Sequence, residues 1–114
     1  MRLALVGSRL FSSYNVLYHA LLEILEDKVD VIVSGGAKGA DTLAEQFARE
    51  WGIPVLVLLP NWDKFGRSAG MIRNKSILDN CDKLVAFWDG RSPGTANSIN
   101  MANKNNKLLK VILV

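Results

Sequence analysis

Three short loops carry the residues whose types and spacing suit chemistry. The first is Gly7-Ser8-Arg9, and the second is Ser34-Gly35-Gly36-Ala37-Lys38-Gly39-Ala40-Asp41. The third runs Trp88-Asp89-Gly90-Arg91-Ser92-Pro93-Gly94-Thr95. Each loop holds glycine and a cation. Glycine lets the backbone turn sharply and lets amide N–H groups approach a ligand with no Cβ in the way. At the start of a helix those amides lie at the positive end of the dipole, where phosphate binds readily. Pro93 presets the turn into a helix, Gly94 admits close approach, and Thr95 can cap the helix or bond a phosphate oxygen. Arg9, Lys38 and Arg91 are the cations of these loops, and Arg73 can join them. A plainer alternative stays open for each. The glycine run can be a tight turn with no ligand, Arg91 a solvated charge, and Arg73 the partner of Asp41 or Asp63 in an ion pair of little worth.

The glycine pattern argues against two common phosphate chemistries. A Walker loop needs serine or threonine after its lysine, and here Gly39 follows Lys38. The dinucleotide fingerprint needs Gly-x-Gly-x-x-Gly after the first strand, where this chain has only Gly7. Kinase-like phosphoryl transfer and a standard NAD dehydrogenase are disfavoured.

Alternating strands and helices must position these loops. Five apolar runs, at about 3–6, 29–33, 55–59, 83–87 and 108–113, read as continuous rather than alternating, as parallel strands covered on both faces do. Helical patterns fall between them. The first covers about 14–26, with Ser12 or Ser13 as N-cap. The second follows the glycine run and ends at Gly52, where Pro54 blocks continuation. The third covers about 69–78, and the fourth about 95–104, with Asn105 or Asn106 as a left-handed cap. Right-handed crossovers then give an α/β, Rossmann-like, doubly wound five-stranded parallel sheet of order 3-2-1-4-5. Strand order reverses between strands 1 and 4. Ligands sit at the carboxyl ends of strands beside such a switch point, and this brings the three loops together.

Composition sets the outer bounds. The 114 residues predict one domain, 1–114, and 49% apolar content suffices for its core. A net charge of +3 favours anionic partners without demanding nucleic acid, which few candidate stacking aromatics also disfavour. The single cysteine, Cys81, rules out a disulfide framework and fits a reducing, cytoplasmic setting. Met1-Arg2-Leu3-Ala4-Leu5-Val6 is too short for a signal peptide and reads as a first strand. No apolar run approaches the roughly 20 residues that span a membrane, so no membrane partner is expected. No Cys/His cluster has metal-ligand spacing, and neither a metal nor a cofactor is expected. Trp62, in the segment 60–67, can stack on a base or cover the core edge. His19 lies within the first helix, far from the loops.

In order, the chain presents Gly7-Ser8-Arg9, the run Ser34 to Asp41, Gly52-Ile53-Pro54, Trp62, Gly66, Ala69-Gly70-Met71-Ile72-Arg73-Asn74, and Gly94-Thr95. This succession resembles the small SLOG-superfamily proteins of the YspA-like branch, over almost the whole chain. More distant relatives are the DNA-processing protein A family and the Lonely Guy phosphoribohydrolases. The resemblance implies a Rossmann-like fold that binds nucleotides or nucleotide-derived ligands, with Gly35, Gly36, Lys38, Gly39, Arg73, Gly94 and Thr95 lining the pocket. Together with the loop reading, the candidate ligand-binding set is Gly7, Ser8, Arg9, Gly35, Gly36, Ala37, Lys38, Gly39, Asp41, Trp62, Arg73, Asn74, Gly94 and Thr95, with catalytic residues unassigned. Relatives commonly pair, so a homo-oligomer is expected.

Two departures bear on chemistry. Lys38 stands where the family has arginine, which replaces a planar fork by a point charge. Ser98 stands where the Lonely Guy hydrolases resemble Pro-Gly-Gly-x-Gly-Thr-x-x-Glu, and serine cannot serve as that carboxylate. Asp41 and Asp89 are the available substitutes. The leading expectation is a module that binds a nucleotide-derived small molecule, as sensor or sequestering agent. A nucleotide N-glycosidic-bond hydrolase comes second, and a nucleic-acid accessory protein third.

Overall fold

Five strands form one parallel sheet, in the spatial order third, second, first, fourth, fifth along the chain. The computed structural model describes residues 1–24 and 28–114. In chain order the elements are β1 Arg2–Gly7, α1 Tyr14–Ile24, β2 Val31–Ser34, α2 Ala40–Trp51 and β3 Val55–Val57. There follow α3 Trp62–Phe65, a 3-10 turn Gly66–Ser68, α4 Ala69–Asp79, β4 Lys83–Trp88, α5 Pro93–Lys104 and β5 Leu108–Leu113. The α/β fold and strand order are those the sequence predicts. The predicted end of the first helix, at residues 25–26, lies outside the described residues.

The apolar strands are covered on both sides. Leu3, Leu5, Ile32, Val85 and Phe87 face Leu17 and Leu21 of α1 and Ala44 and Phe47 of α2. Ala4, Val6, Val33, Leu84 and Ala86 face Ile77 and Leu78 of α4 and Ala102 of α5. Successive strand residues thus serve opposite faces, and both faces are buried. At roughly 25 cal/mol per Å² of apolar area removed from water, these two clusters drive folding.

The helix ends follow local chemistry. α2 ends at Gly52, whose φ of 66° is left-handed and whose amide bonds back to Ala48 and Arg49 carbonyls. After α5, Asn106 takes the left-handed φ of 57° that asparagine tolerates. The sequence pattern predicts no helix where α3 stands. Asn61 caps it by accepting the Lys64 amide at 3.1 Å, and Gly66 at φ 54° ends it within four residues. So short an element carries no legible periodicity. β3 stops at Val57, two residues short of the predicted end.

Candidate functional site

The loops after β1, β2 and β4 meet at the carboxyl edge of the sheet. With α4 they enclose an open cavity of about 580 Å³, within the range of small-molecule sites. Strand order reverses here, since β1 lies between β2 and β4.

Close packing brings the first two loops together. A Cβ on Gly7 would come within 2.5 Å of the Phe87 carbonyl and 2.6 Å of the Ala40 side chain. A Cβ on Gly39, at φ 79°, would strike the Ser8 carbonyl and stand 2.6 Å from that of Arg9. Only glycine fits either place. On Gly35 the added carbon would fall 2.5 Å from Arg73 Nη1. That guanidinium donates to the Gly35 carbonyl at 2.7 Å and, through Nε, to Asn74 Oδ1 at 3.2 Å. Asn74 Nδ2 donates in turn to the Gly94 carbonyl at 3.4 Å. Arg73 and Asn74 therefore tie the loop after β2 to the start of α5.

The third loop is organised by hydrogen bonds. Asp89 Oδ1 accepts the amides of Arg91 at 2.8 Å and Ser92 at 2.7 Å. Asp89 Oδ2 accepts the Ser92 hydroxyl at 2.9 Å. Ser8 Oγ accepts the Asp89 amide at 3.1 Å, which fastens this loop to the one after β1. Pro93 then opens α5, and its N-cap Ser92 makes no side-chain capping bond. Gly94 lies exposed in that first turn with an ordinary φ, and a Cβ there would meet nothing within 4 Å. Neither conformation nor packing requires glycine at 94, although glycine weakens a helix.

Two carboxylates line the cavity, in opposite states. Asp41, only 6% exposed in the first turn of α2, is pushed up to about 6. Burial is the main cause, against the lowering effects of the Ala37 amide and the Arg73 charge. Asp89 is exposed and lowered to about 2, chiefly by the Ser92 and Arg91 amides that it accepts. Of these two carboxylates, Asp41 is the one raised toward neutral pH. Three guanidinium groups, from Arg9, Arg67 and Arg73, share the lining with them.

Of the predicted residues, Gly7, Ser8, Arg9, Ala37 and Asp41 line the cavity, as do Trp62, Arg73, Asn74, Gly94 and Thr95. Gly35, Gly36, Lys38 and Gly39 are not among the lining residues, and Lys38 is exposed. Arg91, expected to ring the edge, is likewise outside the lining. Ser98 lines the cavity at 2% exposure, as its spacing after Gly94 implies.

A family model, the YspA, cpYpsA-related SLOG family, matches residues 1–65. The chain is also 33% identical to the Gene 61 protein of Mycobacterium phage D29 over 111 residues, covering 90% of this chain and 89% of that one. This chain belongs to the YspA-related SLOG family.

Solved structures share the fold. DNA processing protein A from Streptococcus pneumoniae matches 96% of this chain and 49% of its own, with a TM-score of 0.77 and 22% identity. The same protein from Helicobacter pylori, studied for its single-stranded DNA binding mode, matches with a TM-score of 0.73 and 21% identity. This SLOG chain spans 49% and 64% of those two chains.

Sequence reasoning missed Arg67, Met71 and Asn97, which also line the cavity. Arg67 follows the short α3 in the 3-10 turn, so its position depended on an element with no sequence signature. The mouth is partly apolar. Leu10 is 92% exposed and Trp62 53%, with the Trp62 ring 3.6 Å from where a Gly70 Cβ would stand. Among the described residues no cluster of His, Cys, Asp and Glu could hold a metal, and no helix is long and apolar enough to cross a membrane.

Proposed function

We propose that this cavity binds a nucleotide or nucleotide-derived small molecule, its phosphate at the N-terminus of α5, and that the protein acts as a sensor or sequestering module. Gly94 carries the reading. It is a helix-weakening residue with no conformational or packing role, on the cavity wall, where an added carbon would meet no protein atom within 4 Å. Beside it the first-turn amides of α5 have no intrahelical acceptor, and Ser92 supplies no side-chain cap. Phosphate oxygens suit those amides and the nearby arginines. Trp62 and Met71, at the exposed mouth, offer apolar surface to a base.

Ser98 supplies no carboxylate where the phosphoribohydrolase resemblance needs one, and Asp89 is committed to its own turn. Asp41, the other substitute, is only 6% exposed and accepts the Ala37 amide, and binding without base release is the favoured form. A second reading, binding of single-stranded nucleic acid, draws on the exposed Trp62 and Arg67 and on the fold shared with a DNA processing protein A studied for that binding. A homo-oligomer belongs to the proposal, and light scattering that shows only monomer removes it.

Calorimetry with AMP, GMP, CMP, UMP and dTMP, their nucleosides, and a dT oligonucleotide tests the choice. The proposal expects at least one monophosphate to bind and its nucleoside to bind far more weakly. Binding of the oligonucleotide alone favours the second reading, and no binding at all removes both.

A further inference from the structure

Asp41 is the buried carboxylate of the cavity, and phosphate binding gives it no task. Burying a carboxylate is costly unless it is paired or fully hydrogen-bonded. Asp41 accepts the Ala37 amide at 3.1 Å, with the Gly35 amide a further contributor. Among the described residues no cation forms an ion pair with it, since the ion pairs found are Met1–Asp30, Lys28–Asp30 and Lys110–Glu23. An ionised carboxylate offers about four acceptor sites, so capacity remains. Asp41 also lines the cavity, so a ligand can reach what the protein leaves open.

The missing partner must donate hydrogen bonds and bring no negative charge. Phosphate fails on both counts. Adjacent hydroxyls succeed, and a ribonucleotide presents two on neighbouring ribose carbons. The placement agrees, because Asp41 follows β2 while the start of α5 follows β4, across the switch point. The proposed pose puts the sugar between a phosphate at α5 and a base at Trp62, inside the cavity that Asp41 lines.

We infer that Asp41 accepts the ribose hydroxyls of the bound nucleotide, so that the cavity selects ribonucleotides over their 2′,3′-dideoxy counterparts. This rests on the nucleotide reading above. The charged groups around Asp41 are Arg73 from α4, Glu45 one turn along α2, and, elsewhere on the cavity wall, Arg9, Arg67 and Asp89. Asp41 is ionised above about pH 6 and is then the better acceptor. Selection for hydroxyls therefore strengthens as pH rises through that value. Repulsion between Asp41 and the phosphate is common to both ligands and cancels in their ratio.

The test is calorimetry of AMP, GMP, CMP and UMP against their 2′,3′-dideoxy monophosphates, at pH 7.5 and pH 5.0. The dideoxy form of the tightest binder should be weaker by about tenfold or more at pH 7.5. The ratio should shrink at pH 5.0 and also in Asp41→Asn, whose neutral amide oxygen is a weaker acceptor than a carboxylate. If that variant does not fold, the two pH values with the wild-type chain decide alone. Equal affinities at pH 7.5 overturn the assignment and leave nucleotide binding standing. A ratio unchanged at pH 5.0, or unchanged in Asp41→Asn, places hydroxyl recognition elsewhere and also overturns it. No binding by any nucleotide overturns both this inference and the reading beneath it.

Discussion

The two sides of the cavity use the same residue types for opposite purposes. On the β2 side, Gly35 and Gly39 exist for packing, since a Cβ on either would run into Arg73 or into the Ser8 and Arg9 carbonyls. The carboxylate there, Asp41, is buried and held near 6. On the β4 side, Gly94 meets no neighbour, and Asp89 is exposed, accepts two amides and a hydroxyl, and is held near 2. A glycine-rich loop therefore need not be the ligand cradle. The loop densest in glycine spends much of that composition on joining strands and helices. The sparser loop leaves amides and open space for a ligand.

The largest expected effect tests the packing half of this contrast. Gly39→Ala puts a Cβ against two backbone carbonyls at a positive φ, so urea unfolding should show a loss of about 2–4 kcal/mol. A loss under about 0.5 kcal/mol would mean that the β2 loop yields easily and that its glycines are free for another purpose.

Next comes the pH dependence of Asp41. Its ordinary value is 3.8 and its folded value about 6, so the folded state holds the extra proton between them. Its unfavourable contribution is absent below about pH 4 and grows as pH rises through 6. Asp41→Asn should gain on wild type by about 2–3 kcal/mol between pH 4 and pH 7 in urea unfolding. A stability difference that does not change with pH would contradict the burial account. Asp89 runs the other way. Its folded value lies below 3.8, so its contribution is present above that value and is lost as pH falls toward 2. The amide resonances of Arg91 and Ser92 should titrate near pH 2, not near 4.

A smaller effect is expected of the tie between the two sides. Arg73→Ala removes the bonds to Gly35 and Asn74 and should cost about 1–2 kcal/mol, while Arg49→Ala, exposed on α2, should stay within about 0.5 kcal/mol. Equal losses in the two would show that the tie carries no load. The smallest stability effect among the site residues belongs to Gly94→Ala. It should leave stability within about 0.5–1 kcal/mol of wild type, on the favourable side, because alanine suits a helix better. It should still weaken nucleotide binding about tenfold, and unchanged affinity would remove Gly94 from the site.

Much of the fold was legible because both faces of the central strands β1, β2 and β4 need apolar residues, and most breaks between runs carry Gly, Pro or Asn. Gly52 with Pro54 and the left-handed Asn106 are cases where the residue type itself dictates the backbone. α3 was not legible, since four residues show no period, and Arg67 was lost with it. The loops of the site were legible from strand order. Their division of labour was not, because it depends on which atoms a missing Cβ would have met. The opposed states of Asp41 and Asp89 depend on burial and amide partners, which spacing alone does not convey.

Amide chemical-shift mapping with the monophosphate that binds tightest tests the central claim most directly. The account predicts the largest shifts at Gly94 and Thr95, with smaller ones at Gly35, Gly36 and Gly39. Shifts concentrated at Gly35, Gly36 and Gly39 with Gly94 and Thr95 unmoved would contradict it, and would return the phosphate to the glycine-rich loop after β2.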